Sequence, residues 1–138
     1  MGGLFATARG LATAAYTGPC KMALVVRTDL AMGKGKMCAQ CAHAALAAYR
    51  AAAAGTPAQR SYLAAWEATG ETKVALRAGS EDELLRLQRA ARTGAARLVA
   101  VVIRDAGHTQ VAPGSATVLA IHGPVAAVDA VTGGLKLL

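Results

Sequence analysis

The segment from residue 97 to residue 104, RLVAVVIR, most constrains the fold of this chain. Its five central residues, Val99 to Ile103, are all apolar and are either β-branched or small. A short run of this kind, without alternation of polar residues, is typical of a strand that is buried on both faces. The sequence therefore predicts a central strand here, in a sheet that needs a covering layer on each side.

Three further segments, at 22–28, 72–78 and 116–121, have strand patterns. The first is short and rich in valine, and the second alternates between apolar and polar residues. About a dozen residues without a helical pattern join 97–104 to 116–121, so these last two strands could run parallel or antiparallel.

Four helices are predicted between and after these strands. They cover about residues 36–54, 57–68 and 81–93, and a short stretch that begins at Pro124. The second opens with a capping box of Thr56 and Gln59, and the third with one of Ser80 and Glu83. The order β-α-α-β-α-β-β-α implies an α/β fold, with a single sheet covered by helices on both faces.

The length of 138 residues is that of one compact domain. The first 19 residues are small and lack acidic groups, and they are predicted to be a flexible tail ahead of a domain at 20–138. Part of an organellar transit signal is the alternative, although the segment has fewer basic residues than such signals usually contain. No apolar run approaches the roughly 20 residues that span a bilayer, so no membrane partner is expected.

The net charge of +7 is unevenly distributed. Residues 1–66 hold seven Lys or Arg against the single acid Asp29, whereas residues 67–138 hold eight bases against seven acids. A basic surplus in one half indicates a polyanionic partner, and a solvated basic surface is the alternative. Arg86, Arg89 and Arg92 recur on one predicted helix, where a solvated face is the simpler interpretation and nucleic-acid contact the other.

A strand-to-helix junction at residues 27–43, RTDLAMGKGKMCAQCAH, is a candidate site. Lys36, Gln40 and His43 fall on one helical face, and Gln40 and His43 gain nothing from an apolar core. The glycines and lysines of 33–36 could bind an anion through backbone amides, or could form a simple tight turn. The spacing is not that of a P-loop.

The chain has three cysteines, Cys20, Cys38 and Cys41, and an odd count of this kind favours a reduced interior. Cys38 and Cys41 lie one helical turn apart among alanines, where a thiol behaves as a small hydrophobe. Packing is therefore the preferred interpretation of this pair. A redox or zinc role is the alternative.

The loop that follows the predicted central strand carries a second group of polar residues, at 104–110. Sites in open α/β sheets gather at the carboxyl ends of strands. Asp105 and Thr109 could together hold a water molecule that the carboxylate orients or deprotonates. An ordinary turn is the alternative, and His108 is interpreted as an exposed residue.

Taken together, these motifs closely resemble the type 2 peptidyl-tRNA hydrolases, the archaeal and eukaryotic class. The residues that carry the resemblance are 21–26, Arg27-x-Asp29-Leu30-x-Met32-Gly33-Lys34-Gly35-Lys36, Ala39-Gln40-x-x-His43-Ala44, Asp105-Ala106-Gly107-x-Thr109-Gln110, 112–115, and Asp129-x-Val131-Thr132-Gly133-x-Leu135-Lys136-Leu137. The resemblance spans about residues 20–138. His122-Gly123-Pro124-Val125 replaces the usual Gly-Pro-x-Pro of the family.

The resemblance implies a mixed four-stranded sheet between helices, usually in a homodimer. It implies hydrolysis of the ester between a peptide, or an N-blocked amino acid, and the 3′ ribose of tRNA. This reaction recycles peptidyl-tRNA released from ribosomes. A cytoplasmic location is expected, with a mitochondrial one as the alternative, and no metal or organic cofactor is expected.

Residue by residue, the resemblance implies that Lys36, Asp105 and Thr109 are catalytic. It also places Gln40, His43 and Thr117 near the substrate. We expect the basic side chains of Arg27 and Lys34 to bind acceptor-stem phosphates. A lysine, an aspartate and a histidine all remain available as the general base.

Two other functions compete with this interpretation. One is a noncatalytic role in which the chain binds protein partners, as in signalling by some animal relatives. The other is a thiol oxidoreductase that uses Cys38 and Cys41.

Overall fold

The computed structural model describes residues 15–107 and 111–138, and within these ranges the chain forms four strands and four helices. The strands are β1 (Cys20–Arg27), β2 (Lys73–Ala78), β3 (Val99–Arg104) and β4 (Ala116–Pro124). The helices are α1 (Lys34–Ala53), α2 (Pro57–Ala68), α3 (Glu81–Thr93) and α4 (Val125–Thr132). The predicted fold class, a mixed four-stranded sheet between helical layers, is confirmed.

Helix α2 shows how closely local chemistry sets these bounds. The Thr56 hydroxyl accepts the Gln59 backbone N–H at 3.1 Å, and the Gln59 side-chain oxygen accepts the Thr56 N–H at 3.0 Å. The predicted capping box is thus complete, with Pro57 at the first helical position. In α3, Ser80 caps the helix as predicted, but the Glu83 carboxylate reaches the N–H of Gly79 instead.

The sheet has the strand order β2-β1-β4-β3, so β1 and β4 lie in the middle. β1 runs parallel to β2 and antiparallel to β4, and β3 runs antiparallel to β4. The prediction that 97–104 is a central strand is wrong, because β3 lies at an edge. Its apolar run reflects two covered faces: Val101 and Ile103 pack toward α1, and Val102 packs toward α3.

Strand β4 is longer than its pattern predicted and continues to Pro124. Residues 122–124 remain in the strand because they pair with residues 20–22 of β1. Pro124 therefore ends the strand and caps α4, instead of beginning the helix itself. A proline is tolerated here because it is the last residue of the ladder.

Alternating residues of the sheet build two separate cores. On one face, Met22, Leu24 and Val26 pack against α1 and α2, whose Ala44 and Trp66 are buried. On the other face, α3 and α4 pack through the side chains Leu84, Leu87, Ala91 and Val128. The described helices include none with both the length and the apolarity to cross a membrane.

Residues just before β1 contact the domain. The rings of Tyr16 and Tyr62 meet edge to face with centroids 5.4 Å apart, and the Tyr16 N–H donates to the Ser61 hydroxyl at 2.5 Å. The carbonyl of Pro19 accepts the Val125 N–H at 3.0 Å. Residues 15–19 of the predicted tail are therefore held against α2 and α4, and the rest of the tail lies outside the described residues.

The strand directions bring one end of the sheet to the site. β1, β2 and β3 all finish at this end of the sheet, and β4 begins there. Helix α1 starts a few residues after β1, so its first turns lie beside the loop that follows β3. This topology places Lys36 next to Asp105, although the two residues are 69 positions apart in the sequence.

Candidate active site

A groove of about 700 Å³ lies between α1 and the end of β3. Its lining residues are Lys36, Ala39, Gln40, His43, Leu46, Ala47, Arg50, Ile103, Arg104, Asp105 and Ala106. A few polar and charged side chains line a mostly apolar surface, which is the usual form of a small-molecule or substrate site.

The centre of this groove is an ion pair. The Lys36 ammonium contacts a carboxylate oxygen of Asp105, and only 12% of the Lys36 side chain and 2% of the Asp105 side chain are exposed. The second carboxylate oxygen accepts the Gly107 N–H at 2.6 Å. A buried carboxylate held by a cation and a backbone donor keeps the lysine charge at a defined place in the groove wall.

The backbone of the loop fixes Asp105 as firmly as its side chain does. The Asp105 N–H donates to the Ser115 carbonyl at 2.8 Å, and its carbonyl accepts the Gly114 N–H at 2.9 Å. Gly107 adopts φ +86°, and a Cβ there would lie 2.6 Å from the Pro113 side chain. Glycine is therefore required at 107 for the loop to close behind the carboxylate.

Gln40 lies one turn after Lys36 and is 5% exposed. Its side-chain nitrogen donates to the Thr117 hydroxyl at 2.8 Å, and that hydroxyl donates to the Ile103 carbonyl at 3.2 Å. Thr117 is fully buried at the start of β4. Gln40 and Thr117 belong to separate motifs in the sequence, and the structure joins them by a hydrogen bond.

His43 lines the same groove from the next turn of α1 and is exposed. Lys34 is exposed at the first position of α1 but does not line the groove. Gly33 is the N-cap residue of α1 and provides no side-chain cap, and a Cβ added at Gly35 would meet nothing within 4 Å. Packing within the described chain therefore does not explain Gly35.

Arg27 joins the end of β1 to the start of β4. Its guanidinium donates to both oxygens of Asp29, at 3.0 and 2.6 Å, and to the Ala116 carbonyl at 3.0 Å. Glu81 accepts the Ala116 N–H at 3.0 Å and contacts Arg104 at 3.4 Å. The hydrogen bond from Arg27 lowers the pKa of Asp29, and the Ala116 N–H is the main reason that the pKa of Glu81 is lowered.

Thr109 and His108 lie outside the described residues, so the proposed partnership of Thr109 with Asp105 stays a prediction. Arg50 and Leu46 also line the groove, although no sequence motif pointed to them. Arg50 follows Lys36 by 14 residues, about four helical turns, and the same periodicity that grouped Lys36 with Gln40 could have found it.

The cysteines lie away from the groove. Cys41 is half-buried and packs against the core under α1, but Cys38 is exposed, so packing does not account for it. Burial, and then the neighbouring Cys38, raises the pKa of Cys41. Burial raises the pKa of Cys20 to about 11. Across residues 15–107 and 111–138, no three His, Cys, Asp or Glu side chains come together as metal ligands.

Comparison with known proteins gives a consistent result. Residues 20–138 match the family described as Peptidyl-tRNA hydrolase PTH2. The chain is 52% identical to the "Probable peptidyl-tRNA hydrolase 2" of Schizosaccharomyces pombe over 127 residues, which cover 91% of this chain and 60% of that protein.

Mammalian relatives are similarly close. The "Peptidyl-tRNA hydrolase 2, mitochondrial" of Mus musculus is 50% identical, and that of Homo sapiens 48%, each over 122 residues that cover 88% of this chain and 65% of the relative. The chain thus spans about 60% to 65% of the length of these relatives. The family match covers most of the chain and includes every residue of the groove, so this protein belongs to the peptidyl-tRNA hydrolase PTH2 family.

Proposed function

We propose that this protein hydrolyses the ester between a peptide, or an N-blocked amino acid, and the 3′ ribose of tRNA. The observation that carries the proposal is the buried Lys36–Asp105 ion pair in the wall of a groove, in a chain of this family. The names of the fungal and mammalian relatives support the same activity.

The proposed chemistry is attack of water on the ester carbonyl carbon. The water oxygen bonds to this carbon and gives up a proton, and the bond to the ribose oxygen then breaks as that oxygen takes a proton. Asp105 and Thr109 position the water, and the Lys36 ammonium stabilises the oxyanion of the tetrahedral intermediate. A preorganised donor of this kind contributes about 3 kcal/mol, or roughly a hundredfold in rate.

The proposed substrate also needs a site for tRNA phosphates. Lys34 is exposed beside the groove, and Arg50 and Arg104 line it, so these basic side chains can meet a polyanion. Arg27 was expected to share this role, but its side chain is only 11% exposed and its guanidinium binds Asp29 and the Ala116 carbonyl, whereas the Arg104 side chain is 51% exposed. We therefore assign phosphate binding to Lys34, Arg50 and Arg104. We assign to Arg27 a structural role, in which it holds the end of β1 against the start of β4.

The decisive experiment compares Lys36→Ala with Lys34→Ala on an N-acetylaminoacyl-tRNA. Both changes remove a lysine from the first turn of α1, but only Lys36 contacts Asp105. We expect Lys36→Ala to lose at least about a hundredfold in kcat/KM, and Lys34→Ala to retain kcat with a higher KM. Near-normal turnover by folded Lys36→Ala, checked by circular dichroism, would overturn the proposal.

We further propose a homodimer that recycles peptidyl-tRNA released from ribosomes in the cytoplasm. The family resemblance supports the dimer, which light scattering of the full chain tests directly. The alternative is a mitochondrial location, which the names of the mouse, cattle and human relatives favour. Imaging of a carboxyl-terminal fluorescent fusion distinguishes the two locations.

A further inference from the structure

The buried amide of Gln40 has an orientation that its partners determine. Its nitrogen lies 2.8 Å from the Thr117 hydroxyl oxygen, which in turn lies 3.2 Å from the Ile103 carbonyl oxygen. A threonine hydroxyl has one proton, and a carbonyl oxygen can only accept. The proton of Thr117 therefore goes to Ile103, and the Thr117 oxygen must accept from Gln40.

This chain of bonds assigns the two ends of the Gln40 amide, which otherwise look alike. The NH₂ group faces Thr117, so the carbonyl oxygen faces away from it. Across the described residues, the only buried side-chain nitrogen or oxygen atoms without a hydrogen-bond partner are the ring nitrogens of His122. Among the described residues the Gln40 carbonyl oxygen also has no hydrogen-bond partner, but it is not one of these fully buried atoms. It therefore keeps some exposed surface, and Gln40 lines the groove, so we take this oxygen to face the groove.

We propose that the Gln40 carbonyl oxygen accepts a hydrogen bond from a neutral donor of the substrate next to the scissile ester, and that Thr117 is the positioning residue that holds it in this role. The inference rests on the proposed function. Gln40 follows Lys36 by four residues, so the two side chains are neighbours on α1, about 6 Å apart at Cβ. A donor beside an ester that Lys36 polarises is within reach of Gln40.

Two groups of a peptidyl-tRNA have this chemistry. The ribose 2′-hydroxyl is adjacent to the esterified oxygen, and the N–H of the esterified residue is adjacent to the ester carbonyl. Each is neutral and is present whatever the side chain of the esterified amino acid, except that an esterified proline has no N–H. A free α-ammonium is a poorer fit, because the Lys36 charge would repel it.

The test uses the full chain and three substrates. They are an N-acetylaminoacyl-tRNA, the same ester on a tRNA that ends in 2′-deoxyadenosine, and an analogue in which an ester oxygen replaces the N–H. The variants are Gln40→Met, which keeps the length of the side chain, Thr117→Val, which removes the hydroxyl, and Thr117→Ser, which restores it.

We expect the wild type to lose about tenfold in kcat/KM on one analogue, which identifies the donor. Gln40→Met should lose about tenfold on the natural substrate and nothing further on that analogue. Thr117→Val should behave like Gln40→Met, and Thr117→Ser like the wild type. The Thr117 pair tests the same orientation independently if Gln40→Met does not fold.

Two results would overturn the inference and leave the proposed function intact. One is equal turnover of all three substrates by the wild type. The other is full additivity, in which Gln40→Met lowers kcat/KM by the same factor on both analogues as on the natural substrate. A wild type that cannot hydrolyse the natural ester would instead overturn the proposed function, and the inference with it.

Discussion

The Lys36 ammonium and the Asp105 carboxylate form an ion pair that joins the first turn of α1 to the loop after β3 and is almost shielded from water. An interaction of this kind is costly to break from one side only, because the remaining charge stays buried without its partner. The pair is therefore expected to affect stability as well as catalysis.

The first prediction concerns that coupling. Lys36→Met should lower the free energy of unfolding by roughly 2 to 4 kcal/mol, because it removes the Lys36 ammonium from the buried Asp105 carboxylate. The double variant Lys36→Met/Asp105→Leu should lose less than the sum of the two single variants. Urea unfolding of all four proteins measures the difference, and strict additivity would contradict the interaction.

The second prediction concerns acid. His122 is 1% exposed, its ring meets Trp66 edge to face at 5.0 Å, and burial lowers its pKa from 6.5 to about 4. In the unfolded chain the imidazole binds a proton below about 6.5, whereas in the folded protein it stays neutral down to about 4. Its contribution to stability is therefore complete above pH 6.5 and declines as the pH falls from 6.5 to 4, by about 3 kcal/mol.

His122→Phe keeps an aromatic ring and should remove this part of the pH dependence. The measurement is the urea midpoint at pH 7 and pH 4.5. His43→Phe is the matched control, because His43 is exposed and the pH dependence should remain. If His122→Phe loses as much stability as the wild type between pH 7 and pH 4.5, other groups cause the pH dependence.

The third prediction concerns the basic end of the groove. Arg50 lines the groove and has no partner among the described residues, so Arg50→Gln should weaken tRNA binding and reduce the log–log salt slope by about 1. Arg86 is exposed on α3, which covers the opposite face of the sheet, and Arg86→Gln should leave the slope unchanged. The reverse result would place the tRNA on α3.

The fourth prediction concerns the thiols. Since a raised pKa disfavours the reactive thiolate, the pKa of Cys41 argues against redox chemistry. Cys38→Ser/Cys41→Ala should therefore keep ester hydrolysis, with a loss of about 1 kcal/mol in stability from the half-buried Cys41. Activity that disappears in a stable, folded double variant would restore the oxidoreductase hypothesis.

Local chemistry made much of this fold predictable. The capping box of Thr56 and Gln59 involves residues three apart, so the sequence contains all of its partners. Helical periodicity likewise put Lys36, Gln40 and His43 on one face before any neighbour was known. The family resemblance, carried by motifs in the correct order, pointed to Asp105.

Strand order was beyond the reach of the same patterns. The apolar run of β3 indicates that both faces are covered, but it does not say which strands lie beside it. That choice depends on backbone pairing between distant segments, and β4 takes the central place by pairing with β1 and β3 together. An edge strand with covered faces and a central strand can therefore have the same sequence pattern.

The sequence by itself determined the helices, the strands and the residue types of the site, because these follow from periodicity, caps and motifs within short segments. Only the tertiary structure decided what each side chain does. It committed Arg27 to Asp29 and turned the Gln40 amide by way of Thr117. It also buried His122 beside Trp66. The physical reason is that burial and hydrogen-bond partners come from segments far apart in the chain.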